Sequence, residues 1–154
     1  MKSIKELYRI GTGPSSSHTM GPRKAAEMFV ERHPDAASFK VTLYGSLAAT
    51  GKGHMTDVAI IDTLKTTAPV EIIWQPKVFL PFHPNGMTFA AFDANNKIQE
   101  NWTVYSIGGG ALAENNSNPT IESPEVYGMN SMTEILEWCE RIGKSYWEYL
   151  KECD

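Results

Sequence analysis

Cysteine is scarce: the 154 residues contain two, Cys139 and Cys153, and neither belongs to a Cys-x-x-Cys pair. That excludes the compact thiolate patterns that mark zinc and iron–sulfur centres. Basic residues are not in surplus either. Fourteen Lys and Arg stand against 18 Asp and Glu, a formal net charge of -4, with a pI near 5.6. A nucleic-acid surface needs a basic footprint to neutralise phosphates, so DNA and RNA are poor partners for this chain. No apolar run approaches the roughly 20 residues of a membrane helix. Met1 to Tyr8 is charged and mixed rather than a secretory leader, and the sequence predicts a cytoplasmic protein. Repeats and low-complexity tracts are missing as well. What is present is 42% hydrophobic content, enough for one domain with a real core.

Glycine, proline and small polar residues concentrate in residues 10 to 22, Ile-Gly-Thr-Gly-Pro-Ser-Ser-Ser-His-Thr-Met-Gly-Pro. Gly11, Gly13 and Pro14 forbid a regular helix or central strand. Ser15, Ser16, Ser17, His18 and Thr19 follow, and Pro22 suits the first position of a helix. Hydroxyls and amide donors therefore gather near a helix N-terminus, a setting that favours a small anion such as a carboxylate. A Ser-rich cap without further chemistry has the same composition.

Two more histidines stand in similar turns, in Gly51-Lys52-Gly53-His54-Met55-Thr56-Asp57 and in His83-Pro84-Asn85-Gly86. Loop histidines beside hydroxyl or amide groups are suited to proton transfer. Asp57 reads equally as a complement to the helix dipole and as an orienting partner for His54. His33, at a helix end before Pro34, reads as a satisfied structural group. Lys52 reads as a surface charge or an aid to anion binding, and nothing singles out a Schiff-base lysine, so no PLP is expected.

Periodicity supplies the elements. Met1 to Arg9 has Ile4, Leu7 and Tyr8 at helical spacing and predicts a short helix that delivers the glycine-rich stretch. Pro22 to His33 carries a stripe of Ala25, Met28 and Phe29 and predicts a helix. Phe39, Val41 and Leu43 alternate with Lys40, Thr42 and Tyr44 as a half-buried strand. A helix from about Thr56 should bury Val58, Ile60, Ile61 and Leu64. Strands are expected at 70–74 and 78–82, then a hairpin from Met87 to Ala91, through Asn95-Asn96, to Ile98–Tyr105. Gly108-Gly109-Gly110 closes that strand and does not match the dinucleotide fingerprint. Residues 114 to 130 read as an exposed loop. Ser131 and Glu134 form a capping box for a helix whose face is Met132, Ile135, Leu136, Cys139 and Ile142, ended by Gly143. Ser145 and Glu148 repeat the box. Helices at both ends with strands grouped between them predict an α+β domain spanning 1–154, with a mixed or antiparallel sheet packed by helices on one side. Residues from about 131 to 154 form a C-terminal helical segment directed toward a partner.

Four stretches in order carry a resemblance: Gly11 to Pro22, Tyr44-Gly45-Ser46-Leu47 running into Gly51 to Asp57, His83 to Met87, and Tyr105 to Gly110. At these residues the chain resembles the β domain or subunit of iron–sulfur-dependent bacterial L-serine dehydratases. The resemblance implies one half of an L-serine ammonia-lyase, converting L-serine to pyruvate and ammonia within an oligomer. The other half is an α domain or subunit that binds a four-iron four-sulfur cluster, whose open iron serves as Lewis acid. By matching motifs it implies His54 as the catalytic base and Ser15, Ser16, Ser17, His18 and Thr19 as the holders of the substrate carboxylate. His83 and Asn85 would line or gate the same space. It also implies kinship with an anion-binding regulatory domain of some phosphoglycerate dehydrogenases. The alternative function is therefore a serine-sensing module with no direct catalytic role.

Overall fold

The alternation of Phe39, Val41 and Leu43 with more polar neighbours is realised in strand β1, Ser38–Tyr44, whose odd-numbered side chains are buried. In a computed structural model, which describes residues 3, 5, 10–115 and 125–153, contacts divide the chain into two units. One is Gly11–Pro119, and the other combines Met1–Ile10 with Thr120–Asp154. The short helix expected within Met1 to Arg9 falls largely outside the described residues, as does most of the loop expected at 114–130.

The first unit is an α+β arrangement around a five-stranded mixed sheet in the order β2-β1-β3-β4-β5. The remaining strands are β2 (Val70–Gln75), β3 (Gly86–Phe92), β4 (Ile98–Gly108) and β5 (Ala111–Ala113). β1 and β2 are parallel, and every other pairing is antiparallel. The register sets Ile72, Val41, Phe89 and Trp102 side by side across four strands. Three helices cover that face: α1 (Gly21–Arg32), α2 (Gly45–Thr50) and α3 (Thr56–Leu64). α1 packs on β3 and β4, α2 on β1 and β2, and α3 on α1. Phe29 of α1 is fully buried and its ring meets Phe39, Phe89 and Trp102. Truncating such a side chain to alanine costs about 3–5 kcal/mol in general.

Several local expectations are corrected. Residues 78–82 form no strand; Pro76, Pro81 and Pro84 punctuate the segment, and its Val78 carbonyl instead accepts the N–H of Gly45. The glycine triplet closes β4 as expected but also turns the chain back into β5, a strand not predicted, with Gly108, Gly109 and Gly110 all at positive φ. In α1 the buried residues are Gly21, Pro22, Ala25, Ala26 and Phe29, while Met28 is exposed. In α3 Thr56, Ile60 and Leu64 lie four apart on one line, so Val58 turns outward.

The second unit contains α4 (Met132–Ile142) and α5 (Tyr146–Cys153). The capping box at Ser131 and Glu134 has both reciprocal hydrogen bonds, and Gly143 closes the helix at φ 69. Ile135, Cys139, Tyr127 and Tyr149 form its core. Met132, Leu136 and Ile142, expected on the same buried face, are exposed. No helix among the described residues is long and apolar enough to cross a membrane.

Candidate active site

The Ser-rich segment is not a loop leading to a helix but is already helical. Ser16–Met20 form one π-helical turn that runs directly into α1, with Ser15 as its N-cap. The Ser15 carbonyl accepts from the N–H groups of Thr19 and Met20, and the Ser15 hydroxyl accepts from His18 N–H at 3.1 Å. The turn is wide because the Met20 N–H reaches back five residues to the Ser15 carbonyl and the Gly21 N–H five residues to that of Ser16. The N–H groups of Ser16 and Ser17 begin this turn, where a helix has no partners of its own for them.

The π turn directs His18 toward the start of α2. Its Nδ1 lies 2.8 Å from the Ser17 hydroxyl and its Nε2 lies 3.2 Å from the Ser46 hydroxyl. Ser46 is held there by backbone chemistry. Gly45 has φ +48, and a Cβ on it would come within 2.7 Å of the Pro84 carbonyl oxygen, so only glycine fits the turn out of β1. The Ser46 N–H donates to that same Pro84 carbonyl at 3.0 Å.

The turn between α2 and α3 presents His54. The His18 and His54 rings face each other, with centroids 4.9 Å apart and planes inclined by 40°, and both residues are half-buried. Burial and then the imidazole of His54 lower the pKa of His18 from its ordinary value of 6.5, while a Ser46 hydrogen bond acts in the opposite direction. His54 Nδ1 lies 3.0 Å from the Thr50 carbonyl oxygen. A carbonyl only accepts, so Nδ1 carries the proton and the neutral ring keeps its lone pair on Nε2. Among the described residues Nε2 makes no hydrogen bond.

The other expected site residues are distributed around this pair. Thr19 is buried, and its hydroxyl donates to the His54 carbonyl at 2.6 Å. Asp57 accepts from the Val58 N–H, which fits its role at a helix start. Lys52 stands over the Trp74 ring at 5.5 Å. His83 Nδ1 accepts from the Asn85 N–H, and the Asn85 side-chain amide donates to the Ser106 carbonyl at 3.2 Å. The tie from this loop to His18 runs through the Pro84 carbonyl and Ser46. His33 stands apart, paired with Glu100 at 2.6 Å. Two residues not foreseen as site members emerge, Ser46 and Thr56, the latter donating its hydroxyl to the His18 carbonyl at 2.5 Å. Both lie within the stretch Tyr44-Gly45-Ser46-Leu47 running into Gly51 to Asp57 that carries the family resemblance, and that was their only signal in the sequence.

The sequence matches the family described as serine dehydratase beta chain, over residues 3–73 and 62–117. The chain belongs to the serine dehydratase β-chain family. It is 32% identical to L-serine dehydratase TdcG of Escherichia coli K12, with 94% of this chain and 41% of that protein aligned. It is 31% identical to an L-serine dehydratase of Haemophilus influenzae, over 93% of this chain and 41% of the relative. An L-serine dehydratase of Mycobacterium tuberculosis is 33% identical, over 93% and 40%. The chain thus spans about two fifths of the length of these curated relatives. All four stretches that carry the family resemblance lie within the matched residues.

An iron–sulfur cluster generally needs about three or four thiolates. Among the described residues no group of three or more His, Cys, Asp or Glu side chains is placed to hold a metal ion. Cys139 is buried and Cys153 is half-buried near the end of α5. The donor set of this chain does not fit a cluster.

Proposed function

We propose that this chain is the β half of an L-serine ammonia-lyase, acting in the cytoplasm with an α domain or subunit that carries the four-iron four-sulfur cluster. Deamination of serine requires a weakly acidic proton to leave Cα and hydroxide to leave Cβ. The resulting enamine becomes an imine, which water converts to pyruvate and ammonia. This chain supplies the first of those steps. Nε2 of His54 takes the Cα proton as general base, with its lone pair fixed there by the Nδ1–H bond to the Thr50 carbonyl. His18, kept neutral, works with the Ser16 and Ser17 groups to hold the substrate carboxylate, and Ser46 fixes the orientation of its ring. His83 and Asn85 line the same space. Hydroxide departure is left to the α half.

The observation that carries the reading is a half-buried histidine with one nitrogen bonded to a carbonyl and the other unpaired among the described residues, its ring 4.9 Å from that of a second histidine at the Ser-rich turn. Replacing His54 by Ala in the assembled enzyme should lower kcat by roughly 10²–10⁴ with an unchanged cluster absorption spectrum. Near-normal kcat with an altered serine concentration dependence would instead support a serine-sensing module.

A further inference from the structure

We propose that Thr19 and Thr56 are positioning residues that lock the two histidine turns together by exchanging hydrogen bonds, each threonine binding the backbone of the other turn's histidine. The inference rests on the reading of His18 and His54 as the working pair.

The exchange is reciprocal. The Thr19 hydroxyl donates to the His54 carbonyl at 2.6 Å, and the Thr56 hydroxyl donates to the His18 carbonyl at 2.5 Å. Because Thr19 follows His18 directly and Thr56 follows His54 by two residues, the two bonds close a small ring of backbone around both histidines. Thr19 is 3% exposed and Thr56 is 0% exposed. Both hydroxyls are thus removed from contact with a substrate, which assigns Thr19 a task different from carboxylate binding.

Ordinary helix capping does not account for the pair. A Thr at a helix start usually accepts an N–H of its own first turn, but α3 has no side-chain cap and Thr56 reaches instead to a residue 38 positions away. The chain also adopts an uncommon backbone conformation to present it. Met55, between His54 and Thr56, sits in the left-handed region at φ 58, where non-glycine residues are rare. On the other side, Gly13 at φ +100 lies so close to Thr19 that a Cβ would stand 2.1 Å from its Cγ2. The surroundings of both threonines leave them little room to turn. A shift of about 1 Å between the turns would move the His54 Nε2 relative to a carboxylate held at His18, a displacement that can cost about 10²-fold in rate.

The test compares Thr19→Val and Thr56→Val, which remove the hydroxyl and keep the shape, with Thr19→Ser and Thr56→Ser, which keep the hydroxyl. In the enzyme assembled with its iron–sulfur half, each Val variant should lower kcat by about 10–100-fold. KM for serine should change by less than about threefold, and the Ser variants should restore kcat to within about threefold. In the full chain, the nuclear Overhauser contact between the His18 and His54 imidazole protons should be lost in the Val variants and kept in the Ser variants. If the Val variants retain kcat and that contact while His54→Ala is inactive, the lock is wrong and the histidine assignment stands. If His54→Ala retains kcat, the assignment fails and the imidazole contact alone decides the lock. Should the Val variants not fold, the wild-type chain gives the answer. Slowly exchanging Thr19 and Thr56 hydroxyl protons with scalar coupling to the His54 and His18 carbonyl carbons support the lock, and their absence overturns it.

Discussion

His18 has a hydroxyl at each ring nitrogen, Ser17 at Nδ1 and Ser46 at Nε2, and a second imidazole against its face. Hydroxyls both donate and accept, so the neutral ring is satisfied in either tautomer, whereas the cation is opposed by burial and by His54. The lowered pKa fixes the sign of a pH effect. In the window between 6.5 and the lower folded value the unfolded chain binds a proton that the folded chain refuses. The contribution of His18 is therefore complete above 6.5 and is lost as pH falls through that window. Urea unfolding of the wild type and of His18→Gln between about pH 5 and 7.5 should show the steeper acid-side loss in the wild type. Parallel curves would show that His18 titrates alike in both states. His54 differs in that its Nδ1 faces a carbonyl and has one role only, a distinction that residue identity in the sequence does not reveal.

At the scale of elements, the capping boxes allow a similar argument. Glu134 accepts from the N–H groups of Asn130 and Ser131, and Glu148 from that of Ser145; these bonds hold both carboxyls below their ordinary value of 4.5. Their help to α4 and α5 is present above 4.5 and lost as pH falls through the lowered values. Replacing Ser131 by Ala should destabilise α4 by about 1 kcal/mol, measured as loss of amide exchange protection in residues 132–142 with β3 and β4 unaffected. These boxes were legible in the sequence because a cap is a local device, written in two residues three apart. The β3–β4 hairpin was legible for a similar reason, its turn secured by Asp93 accepting from the N–H groups of Asn95 and Lys97. The π turn at Ser16–Met20, the absence of a strand at 78–82 and the addition of β5 were not. Each depends on partners distant in sequence: Ser46 and His54 for the first, Gly45 for the second, Tyr105 and Ser106 for the third. The two histidine motifs could be found by their composition, but the threonines that join them could not, since Thr56 at a helix start has the appearance of a cap.

For the whole molecule, two cysteines set the expectation. The chain alone, after anaerobic incubation with iron and sulfide, should bind no stoichiometric cluster and deaminate no serine, and both properties should appear on adding an α partner. A brown chain with a cluster absorption band, or turnover without the partner, would overturn the assignment as one half of an enzyme. The topology of the sheet carries a different consequence. β1 and β2 run parallel, so the chain must travel back along the sheet between them, and α2, the His54 turn and α3 are that return path. An insertion or deletion within residues 45–64 would therefore act on the strand register and on the reach of His54 at once. One at the Asp93–Lys97 hairpin would touch neither. Across natural variants, changes in length should collect at that hairpin and spare the crossing, whatever becomes of the amino acids within it.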